Sequence, residues 1–170
     1  MTSLIGMNPA ETLTSAQLAT EGKGFGLGDR VTDHNGFDWI FVLAGGAIPQ
    51  NQVVTVLSSA TAINFSSAAV LGTTQAPLAY GVSASASIAS GSYGWIMTRG
   101  RSAVRVSASA TGTLSGQIYA VASAAGAGLV TTSASTTHFL LKGMYAIATA
   151  TTSTTASALP VVFANVTTST

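Results

Sequence analysis

The sequence predicts a mainly β protein: a single β-sandwich or barrel-like domain preceded by an extended N-terminal arm. Three observations predict it. Short stretches rich in aromatic and β-branched residues recur along the chain, each bounded by Gly, Pro or Ser. No long stretch after the first 26 residues carries a 3.6-residue apolar period. Four glycines in seven residues (Gly22, Gly24, Gly26, Gly28) set the start of the chain apart from the rest. The expected organisation is an arm and Gly-rich link over residues 1–26 and one β-rich domain over residues 27–170. A chain of 170 residues fits one domain that buries roughly 70% of its unfolded surface.

In the arm, "NPAETLTSAQLA" opens like a helix, with Asn8 at the N-cap, Pro9 at the first helical position and Glu11 at the third. "EGKGFGLGDR" then reads as a link. A dinucleotide loop would need a strand before these glycines and a helix after them, and the pattern offers neither. "DHNG" is a hairpin-turn signal, and it leads into the strand "FDWIFVL" (Phe37 to Leu43). Further strands are expected at "QVVTVLS", "PLAYGVSA", "YGWIMTR", "SAVRVSA", "QIYAVAS", "FLLKGMYAIATA" and "LPVVFANV". "AGGAIPQN", "SIASGSYG", "ATGTLSG" and "AAGAGLV" fall between them as connections. Strands of Ala, Ser and Thr bury little apolar area each. The core is therefore expected to lean on Trp39, Phe41, Tyr80, Trp95, Tyr119, Phe139, Tyr145 and Phe163.

Charged residues make up 6% of the chain, against about 25% in an average soluble domain. Charge keeps proteins soluble and apart, so a chain this neutral is expected to bury surface in an assembly. Disorder as a whole does not fit, because 47% of the residues are hydrophobic and the net charge is +1. Without cysteine there are no disulfides or thiolate metal sites. "MTSLIGMNPAETL" lacks the basic and long apolar parts of a secretory signal, and no apolar run approaches the roughly 20 residues of a membrane helix.

Chemistry is not expected, and neither is a cofactor. The carboxylates all precede residue 39, in an arm and link rather than a cleft, which does not suit paired acid–base work. Asp29, Asp33 and Asp38 lack the dense ligand loop of a calcium site and read as turn residues. Gly-x-Ser-x-Gly, HExxH and phosphate-loop patterns are absent. His34 and His138 read as turn or capping residues.

Charge is split along the chain. Residues 1–38 hold all five carboxylates (Glu11, Glu21, Asp29, Asp33, Asp38) and two cations, a balance of −3. Residues 39–170 hold Arg99, Arg101, Arg105 and Lys142 and no acid, a balance of +4. Four cations in 132 residues are too few for a nucleic-acid surface. In a strand Arg99, Arg101 and Arg105 would share one face, with Gly100 placed to break the register. Guanidinium forks suit carboxylates, so the three arginines are expected to serve another chain.

"LGDRVTDHNGFDWIFVLAGGAIPQNQVVTV" resembles the opening strands of small bacteriophage virion proteins. "LAYGVSASASIASGSYGWIMTRGRSAVRV" and "GQIYAVASAAGAGLV" are similar to the later strands and hairpin of phage head decoration, or capsid cement, proteins. The resemblance covers about Leu27 to Val166 and rests on turn-and-strand patterns. It implies a β-rich virion protein that binds the outer surface of a phage capsid and stabilises the shell, with no enzymatic role. The partners it implies are the major capsid protein and further copies of the chain. A homotrimer is favoured over a dimer because icosahedral lattices offer threefold positions; neither nucleic acid nor a membrane is expected. On this reading Leu4, Ile5, Met7, Leu13 and Leu18 fill grooves on a neighbour, and Glu11 and Glu21 meet basic groups there. Arg99, Arg101 and Arg105 face carboxylates of the capsid protein or of an adjacent arm. A phage tail or fibre component that adheres to host glycans shares the composition and is the alternative.

Overall fold

A computed structural model of the chain describes residues 7–21, 24–65, 77–105, 113–121, 130–131, 138–151 and 158–169. It is mainly β, with one short helix, α1 (Ser15–Glu21). The strands in chain order are β1 (Arg30–Thr32), β2 (Asp38–Ala44), β3 (Val53–Leu57), β4 (Thr61–Asn64) and β5 (Pro77–Val82). There follow β6 (Tyr93–Arg105), β7 (Thr113–Val121), β8 (Val130–Thr131), β9 (His138–Thr151) and β10 (Ala158–Ser169).

Five strands close on themselves in the order β2-β4-β3-β5-β6, and β6 returns to β2 to complete a barrel. All pairs are antiparallel except β2 with β4, which close the ring through Leu43↔Thr61 and Ala44↔Ala62. β1 extends the same side of β2 ahead of β4, from Arg30↔Ile40 to Thr32↔Asp38. The second half of β6 leaves the barrel and becomes the edge of an antiparallel sheet, β6-β10-β9-β7-β8. The sandwich-or-barrel expectation thus resolves into a small barrel and a sheet that share one strand.

Strand alternation sorts the core into two clusters. Ile40, Val42, Ala44, Val54, Val56, Ala62 and Ile96 point into the barrel, with Ile48 and Ile88 from its end loops. The interior of five strands is narrow, which is why it is filled by Val, Ile and Ala. The aromatic side chains Trp39, Phe41, Tyr80 and Trp95 lie on the outer face, with Met97, Val53 and Val82. They are covered on one side by Leu13 and on the other by Val104, Leu141 and Met144 of the second sheet, with Phe65 beside them. Trp39, Phe41, Tyr80 and Trp95 are buried as the sequence predicts, whereas Tyr119 is only partly buried. The side chains of Phe139, Tyr145 and Phe163 lie outside the described residues.

Two glycines allow the strands to meet. A Cβ on Gly81 would run into the carbonyl oxygen of Met97 and come 2.6 Å from Cγ2 of Ile96, so β5 can cross β6 closely only there. Gly100 has φ +143°, and a Cβ would stand 2.7 Å from Cδ1 of Phe37. It marks the point where β6 passes from one sheet to the other. "YGWIMTR" and the described part of "SAVRVSA", Ser102 to Arg105, therefore belong to one bent strand rather than two.

The helix starts later than the Asn8 signature predicts. Asn8 accepts a hydrogen bond at Oδ1 from the Ala10 N–H and one at its carbonyl from the Glu11 N–H, which makes a single turn. Leu13 is then drawn into a β-bridge with Tyr93, so helical dihedrals cannot begin before it. Thr14 caps instead: its Oγ1 accepts from the Gln17 N–H, and Gln17 Oε1 accepts from the Thr14 N–H at 2.9 Å. This reciprocal pair is a capping box.

Candidate interaction surface

The chain's carboxylates are largely spent in its first hairpin. Asp29 Oδ2 accepts the Gly26 N–H at 2.7 Å. Asp33 accepts the N–H groups of Asn35 and Phe37 on Oδ1 and the indole N–H of Trp39 on Oδ2. Partial burial alone would push the Asp33 pKa up. The donors from Phe37, Trp39 and Asn35, aided by the charge of His34, outweigh burial and hold it below its ordinary value. Asp38 accepts the Thr32 hydroxyl at 2.7 Å and faces Arg99, whose Nε lies 3.1 Å from Oδ2.

That last pair corrects the sequence reading of Arg99. The β2–β6 ladder sets Asp38 opposite Arg99, next to a β-bulge, and Arg99 also donates to the carbonyl of Gly36. Its carboxylate therefore comes from its own chain, and the two side chains are 49% and 33% exposed. An exposed pair of this kind is worth about 0–1 kcal/mol.

Arg101 and Arg105 lie beyond Gly100, in the second sheet. They alternate with Ala103 on one face of β6, while Val104 on the opposite face is buried against the barrel. Arg101 is exposed and Arg105 half-buried, and neither has a carboxylate partner among the described residues. Register carries the row of Arg101 across the sheet through Val162 and Tyr145 to Gln117. The three arginines thus do not act as one row: Arg99 braces the bend, and Arg101 and Arg105 remain on the outward face.

The arm likewise departs from expectation. Leu13 is 4% exposed and sits in its own chain's core rather than a neighbour's groove. Its N–H and carbonyl bond the carbonyl and N–H of Tyr93 at 2.9 and 2.7 Å. β5 meets β6 at Met97 alone, so this stretch of the β6 edge is open and the nearest apolar segment fills it. Met7 and Leu18 pack partly against the same cluster. Glu11 is half-buried at the Asn8 turn and Glu21 ends α1. The Glu21 side chain, and Leu4 and Ile5 altogether, lie outside the described residues.

Phe25 was missed as a packing position because it stands among the link glycines. Its ring meets Trp95 edge-on at 5.0 Å and lies 6.1 Å from Phe41. One aromatic residue amid glycines was the signal that could have revealed it.

The barrel's end is closed by the two loops after β2 and β5. Ile48 and Ile88 bond each other's backbone at 2.8 Å in both directions. Gln50 ties to Ser87, Ala84 and Ser85, and Ser83 to Pro49 and Gln52. A shallow cleft of about 330 Å³ lies between the loops, lined by Ala47, Ile48, Pro49, Ser87, Ile88 and Ala89. From Trp39 to Thr98 the chain carries no Asp, Glu, Lys, Arg or His, so the barrel's charge is confined to the Asp38–Arg99 pair at one end of the β2–β6 ladder.

No family model and no curated protein matches the chain. Among the described residues no three His, Asp or Glu side chains cluster as metal ligands, and no helix is long and apolar enough to cross a membrane.

Proposed function

We propose that the chain is a virion structural protein that decorates the outer surface of a phage capsid and stabilises the shell. In this reading it acts as a homo-oligomer, a trimer in preference to a dimer, bound to the major capsid protein. The observation that carries the reading is the fate of its charges. The aspartates of the first hairpin are held by protein donors, whereas Arg101 and Arg105 stand on an outward sheet face without a carboxylate partner among the described residues. The counter-charge comes from another protein, and the acidic surface of a capsid subunit supplies it. The stretch from Trp39 to Thr98, free of Asp, Glu, Lys, Arg and His, can be covered by neighbours without desolvating charge. The strand-and-turn resemblance to head decoration proteins supports the same reading.

Deleting the arm is a poor test, because it would strip Leu13 and Leu18 from the core. Replacing Arg101 and Arg105 together by Ala leaves the core intact. The parent should bind undecorated capsids with an affinity that falls as salt rises. The double variant should bind more weakly and with a flatter salt dependence. Equal decoration by both proteins across the salt series would overturn the role given to this face.

A further inference from the structure

We infer that the groove beside Tyr93 is an exchange site, able to seat the segment Met7–Glu21 of a second copy of this chain in place of its own. The inference rests in part on the assembly proposed above, which brings copies close together, but it is a property of the isolated protein and is read there.

Every copy needs the groove filled. The N–H and carbonyl of Tyr93 are satisfied by Leu13 alone on that side, and Leu13 covers the outer aromatic cluster of the barrel. Left open, the site would be an unpaired strand edge flanked by apolar surface, a template for another chain. The segment that fills it is a self-contained unit. It carries its own capping box at Thr14 and Gln17 and its own turn at Asn8, so its local shape is set by its own residues.

The join between this unit and the barrel is where the path can change. Phe25 is anchored on Trp95, which fixes the chain downstream. Just before it, Gly24 has φ +69°, and a Cβ there would meet nothing within 4 Å. The space beside this position is open, which leaves room for the path to turn there. An exchanged unit makes the same contacts in the neighbour as at home, so the balance is set by how concentrated the neighbours are. The unit carries Glu11 and Glu21 and no cation, and Tyr93, which receives it, lies in a stretch from Trp39 to Thr98 that holds no Asp or Glu to repel it.

The chain's lack of cysteine makes a direct test possible. Leu13 and Tyr93 form a doubly hydrogen-bonded antiparallel pair, which sets their Cα atoms about 5.5 Å apart, within disulfide range. One protein with Leu13→Cys and another with Tyr93→Cys are unfolded together, refolded at high concentration and oxidised. Exchange predicts a covalent heterodimer well above a control that pairs Leu13→Cys with Ser59→Cys at an exposed turn. The double variant L13C/Y93C should close within one chain when dilute and yield dimers and larger species when concentrated. Should the cysteine variants fail to fold, a photo-crosslinking residue at the half-buried Leu18, in 15N-labelled protein mixed with unlabelled copies, reports by mass which chain it reaches. Links confined to the same chain at every concentration would overturn exchange. Exchange in solution without capsid binding would instead leave the inference standing and sink the shell reading.

Discussion

Asp33 shows how a single carboxylate can organise a hairpin. It is the second residue before the turn glycine's neighbour, and its two oxygens collect donors from Asn35, Phe37 and Trp39. Because its folded pKa lies below the unfolded value, its contribution is present above the unfolded carboxylate range and is lost as pH falls through the folded value. Asp33→Ala should therefore cost about 1–3 kcal/mol near neutral pH, the penalty for leaving donors without an acceptor. The difference from the parent should shrink as the pH drops below about 4. Urea unfolding of the two proteins across that pH range measures both. A constant gap between the curves would mean that Asp33 acts through shape rather than charge.

At the level of elements, β6 is the most informative. Its bend depends on Gly100, where φ is +143° and the space beside Phe37 is closed to a side chain. Gly100→Ala should destabilise by about 1–3 kcal/mol, the usual cost of a strained backbone position, before any clash with Phe37 is added. Equilibrium unfolding reads the loss, and an unchanged midpoint would mean that the bend relaxes freely. β2, β3 and β5 were legible because each carries a dense β-branched or aromatic run bounded by Gly, Pro or Ser. β1, β4 and β8 were not: "RVT", "TAIN" and "VT" are too short to show a period, and long-range pairing makes them strands. The connection "ATGTLSG" likewise contains the start of β7. For α1 the Asn8 signature pointed to a start that only the long-range bridge from Leu13 to Tyr93 excludes. For the surface, the charge split was legible, but pairing Arg99 with Asp38 requires a ladder 61 positions apart in sequence, which no local pattern reveals.

For the whole molecule, one strand belongs to both halves. β6 gives Tyr93 to Arg99 to the barrel and Gly100 to Arg105 to the second sheet. Its aromatic outer face is roofed from the arm side and from the second-sheet side alike. This explains how a chain so rich in Ala, Ser and Thr keeps a core: its few large side chains are gathered at one seam rather than spread over two.

The shared strand also gives the protein a mechanical grain. A pull that separates the second sheet from the barrel along the axis of β6 loads its rungs with β2 in shear, all at once, from Leu43↔Tyr93 to Asp38↔Arg99. A pull across that axis would unzip the same rungs one at a time. Held at Arg105 and at Leu43 in a force spectrometer, the molecule should rupture at a distinctly higher load than when held at Tyr93 and Leu43, where the ladder peels. Equal rupture forces in the two geometries would show that β6 does not carry tension between the halves.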